Sequence, residues 1–206
     1  LFNSNSFDAA ILNWFALPAD LSDLVFRPWT IITYAFVHQQ FFLFLFNMLL
    51  LYWTGKLFQE YIGSSKLFGT YLLGGISGGA AYILALNLFP VFVNQLAGSQ
   101  LIGASAAVLA VTIAIATYIP NYSINILFIG PVRLKYFAAF LVLLYAISIP
   151  QGNAGGQIAH LGGALFGYLY ARQLKKGNDI LLGFNKMLQS ILSFSFFSNR
   201  KMKVVH

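Results

Sequence analysis

The chain has 206 residues, of which 59% are apolar and only 8% are charged, with a net charge of +7. Soluble domains carry charge on roughly a quarter of their residues, so this composition excludes an ordinary soluble domain and predicts one integral membrane domain. The sequence contains no cysteine, which excludes disulfides and thiolate metal sites. Its few histidines and carboxylates do not cluster, so we predict neither a metal nor a cofactor.

Residues 1–35 precede the long apolar segments and form the first predicted region. Three aspartates interrupt the apolar patches in this region, and each patch is too short to cross a hydrocarbon core of about 30 Å. Trp14 and Trp29 are suited to a membrane–water interface, where amphipathic rings accumulate. We therefore predict a structured loop or short helices in the outer leaflet.

Five apolar segments follow, and each is predicted to be a transmembrane helix. Together they form a transmembrane domain over residues 36–172, which a basic tail over residues 173–206 follows on the membrane surface. The second segment holds two glycine pairs one helical turn apart, a spacing that lets helices approach closely. The predicted fold class is thus an all-α, polytopic membrane helix bundle. The five segments are residues 36–53, 67–89, 101–119, about 136–149, and 157–171.

The distribution of basic residues predicts the topology. When the connectors are assigned alternately to the two sides, all of the 12 lysines and arginines except Arg27 fall on one side, which is then cytoplasmic. The C-terminus is therefore predicted to be cytoplasmic. The compactness of the chain favours a plasma membrane or bacterial inner membrane over an organelle. Five spans would leave the N-terminus outside without a visible signal sequence, so we expect a sixth helix upstream of this sequence.

Ser105 and His160 lie a few residues inside the outer ends of the third and fifth segments. At a rise of about 1.5 Å per residue both fall at a similar depth, so their side chains can meet. A serine hydroxyl becomes a good nucleophile when a base takes its proton, and imidazole is suited to that role. Asn47 is a candidate donor to an oxyanion. No third residue that would orient His160 is evident, so any catalysis would use a Ser-His dyad.

At these residues the sequence resembles the rhomboid family of intramembrane serine proteases. Residues 103–105 match the start of the family's Gly-x-Ser-Gly motif, and residues 159–167 match its histidine helix. Residues 38–47 resemble the family's His-x4-His-x3-Asn element, and the whole resemblance covers about residues 26–172. It implies a six-helix fold with serine on the fourth helix and histidine on the sixth, and transmembrane proteins as substrates.

The sequence departs from the family pattern at four positions. Leu43 stands where the family usually has a histidine that helps to bind the oxyanion, and Leu109 replaces an aromatic residue that commonly stacks on the base. Ala106 adds a methyl group beside the serine, and Thr30 replaces an arginine of the outer loop. Losing one oxyanion donor costs roughly 2.7–4 kcal/mol in a soluble protease, which predicts a slower enzyme. His38, near the interface, is predicted to be structural.

Two other functions remain open. One is a catalytically inactive rhomboid-like membrane protein. The other is a small transporter or channel, in which Ser105, Asn47 and His160 would line a polar path. No inverted repeat is visible in the hydropathy, and the predicted spans contain no acidic residue to carry ions, which disfavours the transporter. The expected partners are transmembrane proteins and membrane lipid, and the basic tail is interpreted as a topology determinant rather than a nucleic-acid site.

Overall fold

The computed structural model describes residues 12–96, 98–126, 130–187 and 190. These residues are mostly helical, as the all-α prediction requires, and five of the helices are long. The α-helices are α1 (Leu21–Phe26), α2 (Thr30–Thr33), α3 (Phe41–Tyr61), α4 (Ser64–Leu88), α5 (Val93–Leu96), α6 (Ser105–Tyr118), α7 (Leu134–Ile147) and α8 (Ala154–Lys175). Single 3-10 turns lie at Tyr34–Phe36, Pro90–Phe92 and Ile149–Gln151. The strands are β1 (Leu17–Pro18), β2 (Gln100–Leu101), β3 (Ser123–Ile126) and β4 (Gly130–Arg133).

Two of the long helices, α3 and α4, are long and apolar enough to cross a membrane, judged by length and composition. Helices α6 and α7 are shorter and apolar, with 14 residues each, and α8 has 22 residues. The predicted bounds of the first span were wrong, because α3 begins at Phe41 and continues to Tyr61. Lys56 and Glu60 therefore lie in the last turns of a helix rather than in a connector. An apolar run marks where a helix is buried in lipid, but the helix itself can continue into polar residues.

Helix α6 is the centre of the bundle, and every residue from Ala106 to Ala116 is buried. Helices α4 and α8 pack directly against it through small residues. A Cβ atom added at Gly74 would overlap the Cβ of Ala110, and one added at Gly167 would overlap the Ala110 carbonyl oxygen. The glycine pairs of α4 thus allow the close helix approach that their spacing predicts.

Helices α3 and α7 pack at the periphery of the bundle. The first turns of α3 present large apolar side chains outwards, and Phe41, Phe42 and Phe46 are each more than half exposed. Helix α7 buries only Leu134 and Ala138. Exposed apolar surface on this scale suits contact with lipid rather than with water.

Two small antiparallel sheets, β1–β2 and β3–β4, were not predicted from the sequence. In the first, Leu17 pairs with Leu101, which ties the N-terminal region to the segment that leads into α6. The second is a hairpin within the connection from α6 to α7. Strands of two to four residues are too short to show a periodic pattern, which is why they were missed.

The described part of the N-terminal region contains β1 and the short helices α1 and α2, and side-chain hydrogen bonds hold it together and attach it to the bundle. The Trp29 Nε1–H donates to the Trp14 carbonyl oxygen at 2.9 Å, and the two rings stack with their centroids 5.8 Å apart. The Tyr34 hydroxyl donates to the Gly75 carbonyl oxygen of α4 at 2.6 Å. Residues 1–11 and all but Ser190 of residues 188–206, which include most of the predicted basic tail, lie outside the described residues.

Candidate active site

Ser105 and His160 are in direct contact. Ser105 is the first residue of α6, and His160 lies in the second turn of α8. The serine Oγ and the histidine Nε2 are 2.5 Å apart, and both side chains are half-buried. The two residues meet although 55 positions separate them in the sequence. This end of the bundle, where α6 and α8 begin, is called the serine end below.

The backbone before Ser105 places its hydroxyl at the very start of α6. Gly103 has a φ of +117°, a conformation that L side chains rarely adopt, and its N–H donates to the Tyr34 carbonyl oxygen at 2.9 Å. The chain then enters the helix at Ala104, which is fully buried. As a first-turn residue, Ser105 has a backbone N–H without an acceptor inside the helix. That N–H is therefore available to a ligand.

Close packing of α8 against α6 sets the register of the Ser105–His160 pair. A Cβ atom at Gly163, one turn after His160, would overlap the carbonyl oxygen of Ala106. Ala106 itself is only 2% exposed, and its methyl group faces Gly78 of α4. The methyl group that departs from the family pattern is thus accommodated, because a glycine on the neighbouring helix leaves room for it.

His160 has two further neighbours that the sequence did not reveal. Its Nδ1 lies 3.4 Å from Gln157 Oε1, which can accept the Nδ1 proton and leave Nε2 free to accept the Ser105 hydroxyl. The ring of Tyr145, on α7, packs on the imidazole with a centroid distance of 4.0 Å and an interplanar angle of 37°. The i, i+3 spacing of Gln157 and His160 was a usable signal. No such signal existed for Tyr145, because it lies on another helix and its contact with His160 is not local in the sequence.

Asn47 and His38 lie on the other side of Ser105. Asn47 is buried on α3, and its Nδ2 is 3.3 Å from His38 Nε2. The same Nε2 accepts the backbone N–H of Ala104 at 3.2 Å. His38, predicted to be structural, therefore joins the asparagine to the residue beside the serine. Leu43 is 43% exposed on the same helix, at the position where the family usually has a histidine.

Both contacts of His38 require that its Nε2 carries no proton, so that it can accept hydrogen bonds. The residue precedes α3, and burial lowers the pKa of its imidazole below the ordinary value. The neutral ring can accept at Nε2, as both contacts require. The Asn47 amide carries two hydrogens on Nδ2, so one can bind His38 while the other remains available to a ligand.

No group of three or more histidine and carboxylate side chains that could hold a metal occurs within the described parts of the chain. The site therefore consists of a hydroxyl, two imidazoles and amide groups. Such groups can transfer protons and donate hydrogen bonds to a developing negative charge.

A helical bundle with a serine and a histidine in contact at the heads of two packed helices belongs to a known class of membrane proteins. Residues 25–176 match the rhomboid domain. The chain is 30% identical over 166 residues to the mitochondrial rhomboid protein 1 of Saccharomyces cerevisiae, an alignment that covers 75% of this chain and 44% of that protein. It is 28% identical over 160 residues to the mitochondrial rhomboid-like protein 12 of Arabidopsis thaliana, covering 73% of this chain and 48% of the relative.

The chain belongs to the rhomboid family, whose members are embedded in membranes. It spans about half the length of the two curated relatives. Both relatives are mitochondrial by name, so they do not support the bacterial inner membrane that we predicted from the sequence.

Proposed function

We propose that this protein is an intramembrane serine endopeptidase that cleaves transmembrane segments of other membrane proteins. The observation that carries the proposal is the 2.5 Å contact between Ser105 Oγ and His160 Nε2. A serine hydroxyl that donates to the unprotonated nitrogen of a histidine is the arrangement that activates serine as a nucleophile.

In the first half of the reaction, the Ser105 Oγ attacks the carbonyl carbon of the scissile peptide bond while His160 Nε2 takes the hydroxyl proton. The carbonyl oxygen then carries the negative charge of the tetrahedral intermediate. When the intermediate collapses, the C–N bond breaks and His160 gives its proton to the leaving amine. One half of the substrate leaves, and the other remains as an ester on the serine.

In the second half, a water molecule attacks the ester carbonyl and gives a proton to His160. The second intermediate collapses to a carboxylic acid, and the proton returns to the Ser105 oxygen. Gln157 holds the Nδ1–H tautomer throughout, and Tyr145 covers one face of the ring. His160 is thus positioned by an amide and an aromatic ring, and a buried carboxylate is not required for either role.

The oxyanion is stabilised by the Ser105 backbone N–H and the free Nδ2 hydrogen of Asn47. His38 links Asn47 to the residue before Ser105, because its Nε2 accepts from Asn47 Nδ2 and from the backbone N–H of Ala104. This arrangement uses one amide side chain where the family usually adds a histidine at the position of Leu43. We expect a complete but weaker oxyanion site.

All five long helices are proposed to cross the membrane, with Lys56, Lys135, Arg172 and Lys175 on the cytoplasmic or matrix side and the serine end on the opposite side. The C-terminus would share the basic side. Ser105 then lies a short distance below the membrane surface, where a substrate helix that unwinds can present its backbone carbonyls.

Covalent labelling with a fluorophosphonate probe tests the proposal, because the probe reacts only with an activated serine. We expect the full chain in detergent to be labelled, and Ser105→Ala and His160→Ala to lose the label. Ser148→Ala is the matched control, since Ser148 lies near the serine end but its hydroxyl donates to the Leu144 carbonyl oxygen. It should be labelled like wild type.

Folded wild-type protein that stays unlabelled would contradict the protease and favour a catalytically inactive relative. Leu43 supports this second function. It stands where the family usually has a histidine that helps to bind the oxyanion, and a missing donor weakens an oxyanion site.

A further inference from the structure

An apolar groove lies between α6, α7 and α8, in the half of the bundle where α6 ends and α7 begins. It has a volume of about 590 Å³ and is lined by Thr117 of α6, Pro120 just after α6, Ala139 and Val142 of α7, and Tyr168 of α8. A second groove of about 320 Å³ continues from it between α7 and α8. The two are adjacent, because they share Ile113, Val142 and Tyr168 in their linings, and together they are called the α7–α8 groove.

The lining residues of the α7–α8 groove on α8 extend from Leu161 to Tyr168. Its outer part reaches Leu161, which follows His160 on α8. From Leu161 to Lys175, near the last turn of α8, the helix rises about 21 Å. One leaflet of a bilayer has a hydrocarbon thickness of about 15 Å. The groove together with its polar end thus has the length of a phospholipid headgroup and acyl chain.

Three cationic side chains converge where the α7–α8 groove meets the basic end of the bundle. Lys135 lines the groove directly. Arg172 lies over the ring of the groove residue Tyr168, 5.5 Å from its centroid. The Lys175 Nζ donates to the carbonyl oxygen of the groove residue Thr117 at 3.2 Å. Arg172 and Lys175 thus contact groove residues, and Lys135 lines the groove while its Nζ lies over the neighbouring Tyr136 ring, 5.1 Å from the centroid.

These three cations have no acidic partner among the described residues. The ion pairs among the described residues join Arg27 to Asp23, in the N-terminal region, and Lys66 to Asp179. Three unpaired cations beside an apolar channel match the charge of a phosphate attached to hydrocarbon chains. Basic pockets between transmembrane helices on the cytoplasmic or matrix side are typical sites for anionic headgroups.

We propose that the α7–α8 groove binds one anionic glycerophospholipid, with its phosphate among Lys135, Arg172 and Lys175 and an acyl chain along the apolar walls. The site is separate from Ser105 and does not depend on catalysis. Because the bound chain lies between α7 and α8, it supports the helix that carries Tyr145 onto His160.

Native mass spectrometry of the delipidated full chain tests the headgroup part of the proposal. Phosphatidylglycerol and phosphatidylcholine with identical acyl chains are the probes. We expect phosphatidylglycerol to bind at least about fivefold more tightly, the effect of roughly one basic residue on an anionic lipid. Lys135→Gln and Arg172→Gln should each weaken its binding by about fivefold.

Lys56→Gln is the matched control for charge, because Lys56 lies at the same end of the bundle and over a tyrosine ring, but outside the groove. It should leave phosphatidylglycerol affinity unchanged. Equal affinity for the two lipids, or an equal loss in the Lys56 variant, would overturn the proposal, because binding would then not depend on this cluster.

Filling the groove tests the acyl-chain part. Ala139 is exposed and lines the groove, so Ala139→Trp should fold and reduce phosphatidylglycerol binding more than tenfold. Phe140→Trp is the control, since Phe140 is 61% exposed on the same helix but does not line the groove. Unchanged binding in the Ala139 variant overturns the proposal. The proposal is also overturned if the wild type forms a dimer that does not depend on lipid charge and that Ala139→Trp abolishes. The occupant of the groove would then be a helix of a second copy.

Discussion

The two sides of the candidate site are built differently. On one side, Ser105 and His160 lie on α6 and α8, whose backbones touch because Gly163 has no side chain. On the other side, Asn47 lies on α3, a peripheral helix that the loop residue His38 links to the start of α6. The proposed nucleophile and base are fixed by backbone packing, whereas the proposed oxyanion donor Asn47 is held in place by hydrogen bonds through His38.

Substitutions on the two sides should therefore have different effects on the protein. A change in the packing between α6 and α8 should disturb the stability of the whole bundle, because a glycine contact cannot adjust. A change on the α3 side should alter transition-state stabilisation while the fold stays intact. The following substitutions test that division, from the largest expected effect to the smallest.

Asn47→Ala should lower kcat for cleavage by about 10²–10³-fold, because it removes an oxyanion donor, and should leave KM nearly unchanged. Steady-state cleavage of a reconstituted transmembrane substrate measures both constants. Asn87→Ala is the control, since Asn87 is an amide on α4 that donates to Ala19 and Ile83 carbonyl oxygens away from the site. Equal losses of kcat in the two variants would show that Asn47 has no special role.

Gly163→Ala should lower the free energy of unfolding by about 1–3 kcal/mol, because the new methyl group overlaps the backbone of Ala106. Gly55→Ala is the matched substitution on α3, where a Cβ would meet only Leu67 at an ordinary distance of 3.7 Å. It should leave stability unchanged or raise it by up to about 1 kcal/mol. Thermal unfolding in detergent compares the two, and equal shifts would remove the proposed contrast between the two sides.

His38→Leu should reduce kcat by about tenfold, since it leaves the Ala104 N–H without its acceptor and releases Asn47. Because His38 acts through Asn47, the double variant with Asn47→Ala should be little worse than Asn47→Ala alone. A double-mutant cycle on kcat measures this coupling. Fully additive losses would mean that His38 supports the fold and does not position the donor.

Tyr145→Leu should lower kcat by about three- to tenfold, the effect expected for an aromatic contact of 0.5–1.5 kcal/mol, and Tyr145→Phe should be close to wild type. Phe137→Leu is the control, because Phe137 also packs its ring from α7, against Trp53 with centroids 5.7 Å apart. If Phe137→Leu loses as much activity, general packing of α7 explains the effect, and the ring on His160 has no separate role.

The contact between Ser105 and His160 could be predicted because two features of the sequence were enough. Charge bias oriented the predicted spans, and the positions within the spans gave the depth of each side chain. Gly103 and the small residues around Ser105 were also visible as a motif, although the need for a positive φ at Gly103 became clear only in the structure.

The rest of the site depends on contacts between distant segments, which a single sequence does not encode locally. Tyr145 packs on His160 from another helix, and Gly78 makes room for the methyl group of Ala106. His38 was interpreted as structural from its position near the interface and from the family resemblance, neither of which indicated that it contacts Ala104. These contacts join residues that are far apart in the chain, so no local pattern indicates them.

Cleavage of a transmembrane reporter in liposomes, by wild type, Ser105→Ala and Ser148→Ala, tests the proposed protease most directly. We expect wild type and Ser148→Ala to cleave at the same rate. Ser105→Ala should be slower by at least about 10³-fold, since removing the nucleophile of a soluble serine protease costs about 10⁶-fold. Equal cleavage by wild type and Ser105→Ala, with all three proteins folded, would contradict the assignment of Ser105 as the nucleophile.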